Sequence, residues 1–164
     1  MTTKTFPASI WRNPIHFIAS GFGVGALPWI PGTWGTLLAI PIYLALEAVL
    51  NPLGYLLVLI GLVIMGVWAT GITAKACGDT DPGFIVWDEI VGFLLAMFLA
   101  PNDWAWIWSA FILFRVFDIL KPWPIKWIET KFAGGYGIVF DDLMAGLYVW
   151  LILQVVVLFL FGMD

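Results

Sequence analysis

From Leu143 to Gly162 the chain carries no Asp, Glu, Lys or Arg. A helix of that length covers about 30 Å, the thickness of the hydrocarbon core of a bilayer. Four earlier apolar runs precede it, Thr36 to Leu50, Leu53 to Ala76, Ile85 to Ala100 and Trp104 to Leu120. Only 11% of residues are charged and the mean hydropathy is +1.00. A soluble domain carries about a quarter charged residues, so this chain dissolved in water would expose large apolar patches. The pattern predicts an all-α, multi-helical integral membrane protein of about five apolar helices, built as one membrane-embedded domain over residues 1–164.

The breaks between runs are explicit. Asn51-Pro52 and Pro101-Asn102 end two helices, and the stretch GDTDPG (78–83) is a turn by composition. Asp103 is placed to cap the fourth helix, Pro122 and Pro124 stop it, and Pro41 kinks or starts the first. Residues 121–140 read as a polar, glycine-containing connection. Residues 15–36 are apolar but interrupted by five glycines and two prolines, from Gly21 to Gly35. That composition predicts a short helix and then a re-entrant or interfacial segment, since irregular backbone at membrane depth needs protein or water to satisfy it. No cleavable leader is expected in the polar residues 1–14. Three of the predicted helices are short for a crossing, which implies tilt or local thinning.

Charge placement orients the chain. All seven basic residues (Lys4, Arg12, Lys75, Arg115, Lys121, Lys126 and Lys131) fall on one side of a five-crossing thread. By the positive-inside rule that side is cytoplasmic, and the C-terminus lies outside. A net charge of -4 and the lack of a basic stripe exclude a nucleic-acid partner. The single cysteine, Cys77, excludes an internal disulfide or a multi-cysteine metal site.

The same thread brings Asp79, Asp81, Asp118 and two acidic pairs to the basic face, and the pairs repeat. Ile85-Val86-Trp87-Asp88-Glu89-Ile90 recurs as Ile138-Val139-Phe140-Asp141-Asp142-Leu143, each with a glycine about a turn later, Gly92 and Gly146. Helix capping explains one acid per helix start. It explains less well a second acid beside each at a bilayer edge, where burying charge is costly, and one acid of each pair can cap while the other faces the bundle. Converging carboxylates repel, and a divalent cation resolves the repulsion. All-oxygen ligands favour Mg²⁺ or Mn²⁺ over zinc.

Arg115, Asp118 and Lys121 are spaced by three, which keeps them near one helical face. They form either a structural ion pair with a snorkelling lysine or a cationic wall for an anionic head group. The glycine-rich segment, with Thr33 and Thr36, is either a packing hinge or a loop whose N–H groups cradle an anion. His16, the only histidine, is an interface residue in the plain reading and an acid or base in the functional one. The eleven tryptophans form an interfacial belt.

Four stretches together, NPIHFIASGFGVGALPWIPGTWGTL (13–37), DPGFIVWDEIVG (81–92), FRVFDILKPWPIKW (114–127) and GGYGIVFDDLMAG (134–146), resemble the phosphatidylglycerophosphatase A family of bacterial membrane phosphatases. The resemblance implies Mg²⁺-dependent removal of the phosphate monoester of phosphatidylglycerophosphate, giving phosphatidylglycerol, at the bacterial cytoplasmic (inner) membrane with the site facing the cytoplasm. The matching positions are His16, Thr33, Asp81, Asp88, Glu89, Arg115, Asp118, Lys121, Asp141 and Asp142. Asp88, Glu89, Asp141, Asp142 and Asp81 are the expected metal ligands. Asp118 and His16 join the catalytic set, and Thr33, Arg115 and Lys121 contact the substrate. The partners expected are the lipid and the membrane, with no protein partner implied. A lipid phosphotransferase and a small divalent-cation transporter are the competing functions.

Overall fold

The breaks that the sequence announces become helix starts. A computed structural model describes residues 11–161, and over these it is all-helical. The helices are α1 (Pro14–Ala19), α2 (Pro31–Val49), α3 (Pro52–Cys77), α4 (Trp87–Ala96), α5 (Trp104–Leu120), α6 (Ile125–Lys131) and α7 (Gly135–Phe161), with a 3₁₀ turn at Val24–Ala26. Lys4 and Gly162, used in the charge and span arguments, lie outside the described residues. Asn13, Asn51 and Asp103 cap α1, α3 and α5 by accepting from Ile15, Gly54 and Ala105 N–H at 3.0, 2.8 and 2.8 Å. Proline occupies the first turn of α1, α2 and α3, where its missing N–H costs nothing.

Three helices, α2, α3 and α7, are long and apolar enough to cross a membrane. The outer face of α3 shows Leu57, Ile60, Ile64, Trp68 and Ile72 to the surroundings, a stripe suited to lipid. The ten-residue α4 is the centre of the bundle. Its Ile90, Val91, Phe93 and Leu94 are buried, and it packs on α2, α3, α5 and α7. Tyr55 O–H donates to Leu94 C=O at 2.8 Å and Trp87 Nε1 to Leu62 C=O at 3.0 Å, so these polar tips are satisfied inside an apolar core. Trp150 Nε1 and Gln154 Nε2, both on α7, donate to Phe98 C=O just past the end of α4.

Several boundaries differ from expectation. α2 begins at Pro31, five residues before the predicted start, and Pro41 lies inside it. The stretch 121–140 is not a simple connection: it holds α6 and the first turns of α7. Gly135 and Gly137 look like loop residues in isolation. Both lie in α7, and Gly135 presses on α3, where a Cβ would overlap Val67 C=O. α7 therefore starts eight residues before Leu143, and Asp141-Asp142 sit two turns inside a helix rather than at its cap.

Candidate active site

The end of the bundle where α2, α4 and α7 begin and α5 ends encloses a cavity of about 400 Å³. Its wall includes Thr33, Asp81, Asp88, Glu89, Arg115, Asp118, Lys121, Asp141 and Asp142, nine of the ten candidate positions. His16 is not in it. That residue is buried on α1, with Nδ1 2.9 Å from Thr73 Oγ1 on α3.

What brings the acids together is a glycine crossing. α4 and α7 pack so closely at Gly92 and Gly146 that a Cβ on Gly146 would overlap the Gly92 carbonyl oxygen. A Cβ on Gly92 would lie 2.7 Å from Asp142 C=O. One helical turn before each glycine stands an acid, Asp88 on α4 and Asp142 on α7. With Glu89 they form a cluster: one oxygen from each of the three lies within 4.8 Å of the others. Asp88 and Glu89 stand in the first turn of α4, where acids are favoured, but Asp142 is two turns inside α7, so helix-end stabilisation does not explain the whole set.

The cluster is short of donors. Asp88 Oδ1, Glu89 Oε2 and Asp142 Oδ2 are buried with no hydrogen-bond partner. Burial pushes the Asp88 carboxyl well above the ordinary range, and the neighbouring Glu89 charge adds to it. Burial also raises Glu89, to about 7, against the opposing pull of its bond with Asp88 and of Arg115. Three converging carboxylates, each with one unpartnered buried oxygen, fit a hard divalent cation, because all-oxygen ligation with room for further oxygens is the Mg²⁺ pattern. The residues that could hold it are Asp88, Glu89 and Asp142. Asp141 is differently employed: its Oδ2 accepts from Lys121 Nζ at 2.7 Å and its Oδ1 from Asp142 N–H at 3.0 Å.

Two cations face the acids. Arg115 Nη1 pairs with Asp118 Oδ2 at 2.7 Å, lies 3.8 Å from Glu89 Oε1, and donates to Thr36 Oγ1 at 3.4 Å. The guanidinium is thus fixed from three helices, and its buried Nε has no partner. Lys121 ends α5 in the left-handed region (φ 43°), and its ammonium turns to Asp141 rather than out to the interface. Gly32 is the residue that sequence reasoning passed over. A Cβ there would overlap Glu89 Oε1 and crowd Arg115, so the first turn of α2 must be bare for the pair to form. The nearest available signal was its place between Pro31 and Thr33 in the glycine-rich segment. Thr36, which that segment offered as an anion contact, instead donates to Gly32 C=O at 2.9 Å and steadies Arg115.

The chain is similar over most of its length to several known proteins. Phosphatidylglycerophosphatase A of Escherichia coli K12 is 44% identical over 135 residues, covering 82% of this chain and 78% of that protein. Phosphatidylglycerophosphatase A of Haemophilus influenzae Rd is 40% identical over 137 residues, covering 83% and 84%. A putative phosphatidylinositol-3-phosphatase of Bacteroides thetaiotaomicron is 38% identical over 145 residues, covering 84% and 90%. No solved structure is a match. The family described as phosphatidylglycerophosphatase A matches residues 17–157, a stretch that takes in the whole cavity wall and leaves His16 just outside. On that match and those identities, the chain belongs to the phosphatidylglycerophosphatase A family.

Proposed function

We propose that the protein hydrolyses the phosphate monoester of phosphatidylglycerophosphate, with Mg²⁺, releasing phosphate and phosphatidylglycerol. The observation that carries this is a cavity lined by three clustered carboxylates, each with one buried oxygen that has no partner, and by two cations anchored on Asp118 and Asp141. That is the arrangement a phosphate dianion and a divalent cation require together. Two relatives named phosphatidylglycerophosphatase A supply the choice of lipid.

Asp88, Glu89 and Asp142 hold the cation. When bound, it neutralises phosphate charge and acidifies water. Arg115, locked by Asp118 and Thr36, presents its planar fork to phosphoryl oxygens. Lys121, oriented by Asp141, supplies a second positive charge. The start of α2 has no side-chain cap, so its positive end faces the cavity at Gly32 and Thr33. In hydrolysis a water oxygen bonds to phosphorus and the bond to the ester oxygen breaks, which leaves an alcohol once that oxygen gains a proton. Asp81, exposed on the cavity wall, accepts the proton lost by water in this reading. His16 is placed to hold α1 on α3 instead.

Arg12 precedes α1, Lys75 lies in the last turn of α3, and Lys126 and Lys131 lie on α6 between α5 and α7, with Arg115 and Lys121 in the cavity wall. The positive-inside rule then turns the cavity to the cytoplasm of a bacterial inner membrane. A cation transporter would need carboxylates near mid-membrane on broken helices, whereas these cluster at one end of the bundle.

The test is phosphate release by purified protein from phosphatidylglycerophosphate in detergent, with Mg²⁺ or chelator, beside phosphatidylinositol 3-phosphate as a rival substrate. Metal-dependent release from the first supports the reading. Transfer of phosphate to an alcohol instead of water, or release only from the inositol lipid, overturns it.

A further inference from the structure

The polar cavity has an apolar mouth. Ile30 and Ile119 both line it, yet they are 53% and 69% exposed on the outside of the protein. Each lip continues outward in another exposed apolar residue, Trp29 at 93% on one side and Leu120 at 72% on the other. The first lip immediately precedes α2 and the second lies in the last turn of α5, so the cavity's rim is apolar on both sides where it meets the outside. A site for a water-soluble phosphate ester would open through polar lips, because apolar lips facing water are unfavourable and do nothing for such a ligand. The first lip is also held in place against local preference. Trp29 is in the left-handed region (φ 88°), which bulky residues rarely adopt, and Trp34 Nε1 donates to Pro28 C=O at 3.4 Å to secure the loop.

We propose that Ile30 and Ile119, backed by Trp29 and Leu120, grip the acylated glycerol of the substrate and make the enzyme select lipid phosphate esters over soluble ones. This rests on the proposed function. The head group enters between the two lips. The phosphate reaches Arg115 and the carboxylates, and the acyl chains never leave the hydrocarbon. The lips strip the first carbons of the lipid from water, and that burial is what a deacylated head group lacks.

The test compares two substrates, long-chain phosphatidylglycerophosphate and its deacylated head group, glycerophosphoglycerol phosphate. The proteins are wild type, the double variant Ile30→Ser with Ile119→Ser, and the conservative pair Ile30→Val with Ile119→Val. Losing two buried aliphatic contacts predicts that the ratio of kcat/KM for the long-chain substrate over the head group falls about tenfold or more in the serine variant. The fall should come mainly through KM, and the valine pair should restore most of it. A serine variant that keeps the wild-type ratio, whether both activities persist or fall together, overturns the inference while the phosphatase reading stands. Wild type that releases phosphate from neither substrate overturns both.

Discussion

On α4 both acids of the pair give an oxygen to the carboxylate cluster, whereas on α7 Asp142 does so and Asp141 turns to Lys121. Aligned by sequence, Asp88 corresponds to Asp141 and Glu89 to Asp142. Aligned by the crossing, the register shifts by one. Asp88 stands four residues before Gly92 and Asp142 four before Gly146, so these two are the structural equivalents. Residues four apart share a helix face, while adjacent ones diverge by about 100°. The glycine contact thus selects which acid of each pair meets the other helix. The leftover acid on α4 is a longer Glu that still reaches the cluster. The leftover on α7 is a short Asp that reaches a lysine.

The largest test of that difference is to remove one charge at a time while keeping shape. Asp88→Asn and Asp142→Asn are expected to lower kcat/KM by at least about 100-fold, more than loss of a supporting contact at a metal site costs. Asp141→Asn is expected to cost about tenfold, since it only loosens Lys121. Mg²⁺ should raise the melting temperature of wild type and of Asp141→Asn but not of the other two. In chelator the order reverses: Asp88→Asn and Asp142→Asn should melt above wild type, because a like charge has left a buried cluster. Equal losses at Asp141 and Asp142 would restore the symmetric pairing suggested by sequence and discard the register shift.

The crossing itself comes next. Gly146→Ala places a methyl on the Gly92 carbonyl, and the helices must part to admit it. Overpacking of this kind costs about 1–3 kcal/mol, and the acids move apart with the helices. A lowered melting temperature together with lost activity is the expected pair of results. An alanine variant with native stability and activity would show that the glycines do not set the spacing.

Those two tests also separate what was readable from what was not. The spacing of Arg115 and Asp118 and the cap at Asp103 are local signals, and each appears in the structure as a contact. The start of α7 was not readable, because Gly135 is a loop-former in isolation and only the packing of α3 against it shows why it must be bare. The partner of Asp141 was hidden for a similar reason. Lys121 is twenty residues away, beyond a stretch that looked like open connection and is in fact a helix and a turn. Gly32 carried no motif of its own, since its requirement is the space that Glu89 and Arg115 occupy.

The cations sharpen the comparison further. Arg115 bridges to Asp118, Glu89 and Thr36, whereas Lys121 meets Asp141 as a point charge. Arg115→Lys keeps the charge but not the fork, so kcat/KM should fall by on the order of tenfold through lost charge-assisted bonds. Lys121→Arg keeps both charge and a donor for Asp141, and should cost less. If the two exchanges cost the same, the guanidinium geometry has no special part in holding phosphate.

The smallest effect is expected at His16, and it asks whether the crossing and its cations suffice for the chemistry. His16 is buried, its Nδ1 is bonded to Thr73, and the cavity wall does not include it. Its contribution on that geometry is to fasten α1 to α3, and through the bond from Val86 N–H to Ala19 C=O at 3.0 Å to steady the start of α4. His16→Ala should therefore lower stability by about 1 kcal/mol for the lost hydrogen bond, somewhat more with the lost packing, and leave kcat and its pH profile close to wild type. Thermal melting and a kcat–pH series in the same detergent give the answer. A large fall in kcat with unchanged melting would put the imidazole in the reaction, and the proton assigned to Asp81 would then pass through α1.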